Sequence, residues 1–481
     1  MGKGLDDGRH LSFGVASAAY QIEGAPDADG KGPSIWDTFT RVPGAIDDGT
    51  DGSVACASYP DPGPDLELVA GLGVRYYRFS ISWPRIVPLG SGAVQARGLD
   101  YYERLVDGLL GRGIEPMATL YHWDLPQGLE DQGGWLVRET AEHFADYAMV
   151  VHDRLGDRVR VWATLNEPWC AAYLGYGSGR HAPGKQVDTS AHRAAHHLLL
   201  SHGLAASRMR AAGADTVGLV LNLTPVWADS PAVALAADGV DAIRNRIWLG
   251  PLVDGAYDAG TLRVAPVLAD PELVRPGDLE LVRGSADWLG VNYYTPARVD
   301  VALPDASPDS APDSAPDASL VEDIVDDGGD AEVAAFPGVE DFRFTPRHPR
   351  TDIAWEISPQ GLEELLVDTY RRTGLPLVVT ENGAAFADKT RLADGIVDDA
   401  DRIDYLRTHL AAIEAARESG ADVRTYVLWT LMDNFEWSHG YTMHFGLVSV
   451  DRGDLRRTPK QSYRWVAKLM QDRHRGRTAP S

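Results

Sequence analysis

Two glutamates of this chain stand at the ends of short, apolar, β-branched runs. Glu167 comes after the run 159–165, and Glu381 comes after the run 375–379. Such runs are typical of strands that are buried on both faces. A carboxylate at the end of a buried strand can cap the next helix, join an ion pair or carry out chemistry. Two such carboxylates are also what a glycosidase needs, one on either side of the bond that it breaks.

The composition excludes several classes of partner. The chain has 481 residues, of which 44% are hydrophobic, and its 45 basic and 70 acidic residues give a net charge of −25. Nucleic acids and anionic membrane surfaces require a basic face, so we expect neither as a partner. The expected partner is a small molecule that is not strongly anionic, and the sequence does not determine the oligomeric state.

The cysteine count and the first residues bear on the compartment. Cys56 and Cys170 are too few for a disulfide framework, and we expect reduced thiols, with a single bridge as the alternative. Residues 1–12 are polar and lack the apolar core of a signal peptide, and no apolar run reaches the roughly 18 residues of a membrane span. These features predict a cytoplasmic protein.

The hydrophobic pattern alternates strand-like runs with longer amphipathic stretches. Eight strands are predicted, at 13–18, 74–80, 115–120, 159–165, 217–223, 288–293, 375–380 and 423–430. Helices are predicted among and after them, at 98–112, 138–155, 191–212, 359–373, 401–419 and 459–470. This alternation indicates an α/β fold, a single (β/α)8 TIM barrel over residues 1–481 with long βα loops.

One segment departs from this pattern. Residues 303–341 contain near-repeats of Pro-Asp-Ala-Ser and an acidic run at 322–330, with few large apolar side chains. Such a segment buries too little apolar surface to offset the entropy of its ordering, so we expect a disordered loop after the sixth strand. A lid or a tail for a partner is the alternative. The tail after residue 473 should fray.

Polar and aromatic residues cluster at the predicted strand ends. Because the carboxyl ends of all barrel strands meet at one face, these side chains should converge on one site. Amides, carboxylates and a histidine suit the hydroxyls of a sugar, and flat rings suit its apolar C–H faces. The residues are Gln21, Glu23, Arg78, His122, Trp123, Asp124, Asn166, Glu167, Asn292, Tyr294, Glu381, Trp429, Glu436 and Trp437.

Six motifs contain most of these residues. They are AYQIEG at 19–24, YRFSISWPR at 77–85, TLYHWDLP at 119–126, TLNEP at 164–168, TENG at 380–383, and NFEW at 434–437 with GY at 440–441. In this order they resemble the motifs of glycoside hydrolase family 1, the β-glucosidase family. The resemblance extends from about residue 12 to residue 465.

The resemblance implies a role for each matching residue. Glu167 matches the general acid/base and Glu381 the nucleophile, which Arg78 and Tyr294 would keep ionised. Asn166 matches the residue that binds the sugar 2-hydroxyl. The family retains the anomeric configuration, which implies that the two carboxyl groups lie about 5–5.5 Å apart.

The resemblance also implies a sugar-binding pocket. A carboxylate at Glu436 would accept from the 4- and 6-hydroxyls and repel a 6-phosphate, so we expect an unphosphorylated sugar. Trp355 matches a platform for the leaving group, although a tryptophan that only packs the loop is the alternative. Further candidates on that side are Cys170, Tyr173 and His181. The expected substrate-binding residues are Gln21, His122, Trp123, Asn166, Asn292, Tyr294, Trp355, Trp429, Glu436, Trp437 and Phe445.

Some positions differ from the family pattern or invite another reading. Phe13, the stretch 59–61 and His444 replace residues that are usual in the family, which leaves the geometry of the first loops open. His192 and His196 have the i, i+4 spacing of a helical metal pair. No glutamate follows the first histidine in the zinc-protease order and no third ligand is evident, so we predict no metal and no other cofactor.

These observations predict a retaining β-glucosidase that releases terminal β-D-glucosyl residues from short substrates such as cello-oligosaccharides or aryl and plant glycosides. One alternative is a broad β-glycosidase with β-galactosidase or β-fucosidase activity and transglycosylation. Another is a sugar-binding protein without catalysis on the same fold. The presence of both glutamates argues against the last alternative.

Overall fold

Eight parallel strands close into a barrel in a computed structural model that describes residues 4–302, 333–388 and 390–478. Each strand pairs with its neighbours along the chain, and β1 closes the barrel against β8. The predicted α/β TIM barrel is therefore confirmed. The strands are β1 Ser12–Ala16, β2 Tyr76–Ser80, β3 Glu115–Tyr121, β4 Val161–Asn166, β5 Thr216–Leu221, β6 Trp288–Asn292, β7 Leu377–Asn382 and β8 Val423–Leu428.

Helices follow every strand and cover the outside of the barrel. Those after β1 to β4 are Gly63–Leu72, Ala96–Leu110, Glu139–Leu155 and Ala191–Ala211. Those after β5 are the shorter Ala234–Asp241, Ile247–Asp254, Ala259–Val264 and Asp278–Val282. Those after β6, β7 and β8 are Pro359–Thr373, Ala400–Glu418 and Gln461–Thr478. Among the residues that the structure describes, no helix is long and apolar enough to cross a membrane.

The helix Pro359–Thr373 shows how local sequence sets these boundaries. Ser358 precedes it and its hydroxyl accepts a hydrogen bond from the Gly361 amide, while Pro359 occupies the first turn, where no amide donor is needed. Gly374 ends the helix with a positive φ of 64°, a conformation that costs glycine little. The helix therefore has the bounds that the sequence predicts.

Alternate residues of the strands face two different cores. A small cluster takes side chains from all eight strands, among them Tyr76, Met117, Val161 and Trp288, and therefore fills the inside of the barrel. A β-carbon at position 218 would lie 2.2 Å from the Trp288 ring, so glycine in β5 makes room for that ring. A much larger cluster packs between the strands and the helices.

The long loops carry structure of their own at the face where the strands end. Short helices lie at Ala19–Ile22, Ile35–Phe39, Trp83–Ile86 and Gln127–Glu130. A three-stranded sheet joins Val226–Ala228, Ala297–Val301 and Phe342–Phe344, and Val448–Val450 pairs with Arg457–Pro459.

The predicted disordered loop 303–341 falls largely outside the described residues, which resume at residue 333. Within its last part, Phe336 is buried, with its ring 5.3 Å from that of Trp169 and 5.4 Å from that of Phe344. The chain therefore returns to the barrel face through an aromatic contact. At the other end of the chain, the last helix continues to Thr478.

Candidate active site

Glu381 lies near the carboxyl end of β7 with a donor on each carboxylate oxygen. The guanidinium of Arg78 in β2 forms an ion pair with Oε1, and both side chains are buried. The hydroxyl of Tyr294 donates to Oε2 at 2.7 Å. A cation and a hydrogen-bond donor thus fix the orientation of the Glu381 carboxyl group, one on each oxygen.

Glu167 follows β4 and has a different environment. Its backbone has a positive φ of 45°, and its amide donates to the Val220 carbonyl at 2.9 Å. Oε1 accepts from Asn292 Nδ2 at 2.7 Å, and Oε2 lies 3.3 Å from the Cys170 thiol. Burial, followed by the charge of Glu381, raises the pKa of Glu167 to about 7. Glu167 can therefore both lose and hold a proton near neutral pH.

Asn166 links the two carboxyl groups through one hydrogen-bonded network. Its Oδ1 accepts from Arg78 Nη2 at 2.7 Å and from Asn292 Nδ2 at 3.0 Å. Its Nδ2 lies 3.0 Å from Nε2 of His122. Burial and the nearby Arg78 lower the pKa of His122 well below its usual value, so the ring is neutral and Nε2 accepts from the amide. The orientation of Asn166 is therefore set from three directions.

Aromatic rings form one wall beside this network. The rings of Trp123 and Trp437 lie 4.4 Å apart, and the ring of His122 stacks on that of Trp429 at 5.8 Å. Trp123 Nε1 donates to the Asn166 carbonyl at 2.9 Å, which fixes the wall to the polar network. Flat rings beside hydrogen-bonding groups are what a sugar requires.

A third carboxyl group, that of Glu436, completes this side of the site. Gln21 Nε2 lies 3.4 Å from its Oε2 and donates to the Phe435 carbonyl at 3.0 Å. Burial, with the charges of Glu381 and Glu167, raises the pKa of Glu436 to about 8. At neutral pH this side chain is a neutral acid, which can donate as well as accept.

A second group of aromatic rings contains Tyr294, Trp355 and Phe445. The Trp355 ring lies 5.1 Å from that of Tyr294 and 6.1 Å from that of Phe445, and Trp355 is half-buried. The predicted catalytic and substrate-binding residues gather around Glu167 and Glu381 through hydrogen bonds, ring contacts and electrostatic interactions. The site thus combines a carboxylate paired with a cation, a second carboxyl group whose pKa is raised, and aromatic rings.

Comparison with known proteins decides the family. The sequence model of Glycosyl hydrolase family 1 matches residues 8–475. The chain belongs to glycosyl hydrolase family 1. The expected membership and the assignment as a glycosidase are therefore confirmed.

Relatives of this family 1 chain share almost its whole length. It is 46% identical to the thermostable beta-glucosidase B of Thermobispora bispora over 457 residues, which is 94% of this chain and 88% of the relative. It is 44% identical to a bifunctional beta-D-glucosidase/beta-D-fucosidase of Bifidobacterium breve over 477 residues, 96% of this chain and 97% of the relative. The crystal structure of a psychrophilic beta-glucosidase from Micrococcus antarcticus superimposes with a TM-score of 0.87 at 42% identity, covering 96% and 97% of the two chains.

The further candidates predicted for the leaving-group side of this family 1 site lie in three different places. Cys170 contacts Glu167, as described above. Tyr173 is fully buried and its hydroxyl lies 2.9 Å from His192 Nδ1, so it packs the loop against a helix. His181 lies by the aromatic rings of the other side, 5.2 Å from the Trp123 ring.

Asn222 belongs to the site but was missed by the sequence reasoning. It follows β5 directly, is buried, and donates from Nδ2 to the Cys170 sulfur at 3.2 Å. Its position at the end of β5 is the signal that would have predicted it, since strand ends carry the other site residues.

Two polar residues of the family 1 motifs serve other purposes. Glu23 forms a buried ion pair with Arg85 at 2.8 Å and accepts a hydrogen bond from the Tyr102 hydroxyl. Both partners belong to the protein, so Glu23 has a structural contact here. Arg85 also lies over the Tyr59 ring at 3.9 Å, which ties the unusual stretch 59–61 to the same group. Asp124 is buried, and burial raises its pKa to about 8.

The histidine pair on the helix Ala191–Ala211 has protein partners. His192 contacts Tyr173, and His196 Nε2 lies 3.1 Å from Asp278 Oδ2. Elsewhere, Asp388, Asp433 and His444 approach one another as metal ligands would. The buried ammonium group of Lys460 lies 2.9 Å from Asp388 Oδ1 and 2.8 Å from Asp433 Oδ2, so a side-chain cation already neutralises the two acids.

Proposed function

We propose that this family 1 glycosidase is a retaining β-glucosidase that acts by double displacement, with Glu381 as nucleophile and Glu167 as acid/base. The observation that carries this proposal is the unequal treatment of the two carboxyl groups. Arg78 and Tyr294 stabilise the charge of Glu381, whereas burial and that same charge favour the protonated form of Glu167. Separate acid and base roles require this separation of environments.

In the first step, a carboxylate oxygen of Glu381 bonds to the anomeric carbon, and the glycosidic bond breaks. Glu167 gives its proton to the departing oxygen, so the leaving group departs as a neutral alcohol. The product is a glycosyl ester of Glu381, which carries no charge. The loss of that charge removes one cause of the high pKa of Glu167.

In the second step, the Glu167 carboxylate takes a proton from water, and the water oxygen bonds to the anomeric carbon. The ester bond breaks, which restores the Glu381 carboxylate and protonated Glu167. Two inversions give net retention, which requires the carboxyl groups to lie about 5–5.5 Å apart. The mechanism uses these side chains and water.

The substrate is an unphosphorylated β-glucoside with a short leaving group, such as a cello-oligosaccharide or an aryl glucoside. Glu436 and Gln21 offer donors and acceptors to the outer sugar hydroxyls, and a 6-phosphate would bring its negative charge near the charge of Glu381, which already raises the pKa of Glu436. A second activity, towards β-D-fucosides, is favoured by the bifunctional relative at 44% identity. A fucoside lacks the 6-hydroxyl and still presents the reacting carbon.

The test is a kinetic panel of β-glucosides, β-fucosides, β-galactosides and a β-glucoside 6-phosphate, assayed with wild type, Glu381→Gln and Glu167→Gln. We expect the β-glucosides to have the highest kcat/KM of the panel and the 6-phosphate to be a poor substrate. Glu381→Gln should lose hydrolysis while it still binds a glucose-like inhibitor. Undiminished turnover by Glu381→Gln, or preference for the 6-phosphate, would refute the proposal.

A further inference from the structure

Cys170 is the residue that contacts the second oxygen of Glu167. Its sulfur lies 3.3 Å from Glu167 Oε2, and its own amide donates to the Glu167 carbonyl at 2.9 Å. Asn222 Nδ2 donates to the sulfur at 3.2 Å. Cys170 begins the π-helical segment Cys170–Gly177, and both it and Asn222 are buried. The thiol is therefore held on the same turn as Glu167 and anchored from β5.

The two oxygens of Glu167 have partners of different capability. Asn292 presents an N–H to Oε1, and its carbonyl oxygen already accepts from the Thr380 hydroxyl at 2.6 Å. An amide N–H can only donate, and the carbonyl oxygen of a carboxylic acid accepts better than its hydroxyl oxygen, so the bond to Oε1 is kept best when the proton is on Oε2. A thiol donates to a carboxylate and accepts from a carboxylic acid by rotation of its S–H. Oε2 can thus carry the proton and keep its hydrogen bond to the Cys170 sulfur.

We infer that Cys170, anchored by Asn222, is a positioning residue that places the acid proton of Glu167 on Oε2 and reverses its own hydrogen bond when Glu167 becomes a base. This inference rests on the proposed acid/base role of Glu167. In the free enzyme the Glu167 hydroxyl donates to sulfur. In the glycosyl-enzyme the thiol donates to the carboxylate that activates water.

Other described groups act on Glu167 through their charge or have their polar atoms engaged elsewhere. Glu381 and Glu436 are acidic neighbours that interact electrostatically with it, and Arg244 opposes them as a cation. Tyr294, which also faces Glu167, has its hydroxyl committed to Glu381. Burial and the charge of Glu167 raise the pKa of the Cys170 thiol well above its usual value, so the thiol stays neutral through both steps.

The test compares Cys170→Ala with Cys170→Ser, which keeps a group that both donates and accepts. The readouts are the pH profile of kcat/KM and its dependence on the leaving group. Cys170→Ala removes the donor to the carboxylate and the acceptor from the acid. The bond to the charged form is the stronger of the two, so the alkaline limb should move up by about half a pH unit. The loss of kcat/KM should be about tenfold for cellobiose, whose leaving group needs a proton, and less than about twofold for a dinitrophenyl glucoside. Cys170→Ser should restore most of the wild-type alkaline limb and most of the kcat/KM for cellobiose.

Three outcomes distinguish the possibilities. An unmoved alkaline limb in Cys170→Ala with equal losses for both substrates would overturn the inference and leave a packing role. If Cys170→Ala does not fold, Asn222→Ala, which removes the anchor of the thiol, is judged by the same readouts, and a wild-type profile in that variant would overturn the inference. Glu167→Gln is the separate control, since full activity on cellobiose in that variant would refute the proposed function itself.

Discussion

Arg78 and Glu381 form a buried ion pair that spans the barrel from β2 to β7. Arg78 is 1% exposed and also donates to Asn166, so one guanidinium serves the charge of Glu381 and the orientation of the neighbouring amide. Glu381, Glu167 and Glu436 interact electrostatically here, and of these three Glu381 is the one paired with the Arg78 cation.

Replacement of Arg78 by methionine should abolish most activity and destabilise the fold. The change leaves a buried carboxyl group without its cation, which costs about 3–5 kcal/mol when one partner of a buried pair is removed. We expect kcat/KM for an aryl glucoside to fall by about a thousandfold or more and the melting temperature to drop. Arg78→Lys is the matched control, because it keeps the positive charge but loses the planar guanidinium. Its kcat/KM and melting temperature should lie between those of wild type and Arg78→Met. Activity within a few-fold of wild type in Arg78→Met would contradict this role.

The activity on cellobiose should decline on the alkaline side with a midpoint near pH 7. Glu167 must be protonated to assist the leaving group, and its pKa is raised to about 7. Above that value kcat/KM should fall about tenfold per pH unit. Dinitrophenyl glucoside, whose leaving group needs little protonation, should show a weaker alkaline limb. Identical limbs for the two substrates would show that another group controls the profile.

Glu436→Gln should stabilise the unliganded enzyme more at alkaline than at acidic pH. A carboxyl group whose pKa is raised on folding contributes stability below its unfolded pKa, and that contribution is lost as pH rises through the folded value of about 8. The glutamine does not titrate. The melting temperature of the variant relative to wild type should therefore rise by a few degrees between pH 5 and pH 9. Glu418→Gln, at an exposed residue, is the control and should show no such trend; a flat difference for Glu436→Gln would contradict the prediction.

Tyr294→Phe should lower turnover while sugar binding persists. The variant removes the donor at 2.7 Å from Glu381 Oε2 and keeps the ring that packs against Trp355 and Phe445. A hydrogen bond to a charged group contributes about 1.5–3 kcal/mol, so we expect kcat to fall by roughly ten- to a hundredfold. An inhibitor-binding titration should give a dissociation constant within a few-fold of wild type. A larger loss of binding than of turnover would assign the hydroxyl to substrate recognition.

The sequence was sufficient for the barrel and for the polar network, because both follow from strand periodicity. Apolar runs marked the eight strands, and the rule that strand ends meet at one face brought Arg78, Asn166 and Glu381 together. The same rule would have added Asn222 after β5. The orientation of side chains on the loops does not follow from strand periodicity.

Side chains on the loops take directions that periodicity does not encode. Trp123, Glu167 and Trp437 have positive φ values of 76°, 45° and 47°, which few non-glycine residues adopt and which tertiary contacts impose. Tyr173 and Cys170 stand three positions apart on one segment, yet Cys170 contacts Glu167 whereas Tyr173 packs against His192. The sequence could name both as candidates, and only the packing around a π-helical turn separates them.

The most direct test of the double displacement is the anomer that is released first. Hydrolysis of an aryl β-glucoside is followed by proton NMR, with enough enzyme to complete the reaction before glucose mutarotates. Attack by Glu381 and then by water predicts β-glucose as the first product, with the α-anomer appearing later. If α-glucose appears first, the reaction inverts the anomeric carbon, and the assignment of Glu381 as nucleophile is contradicted.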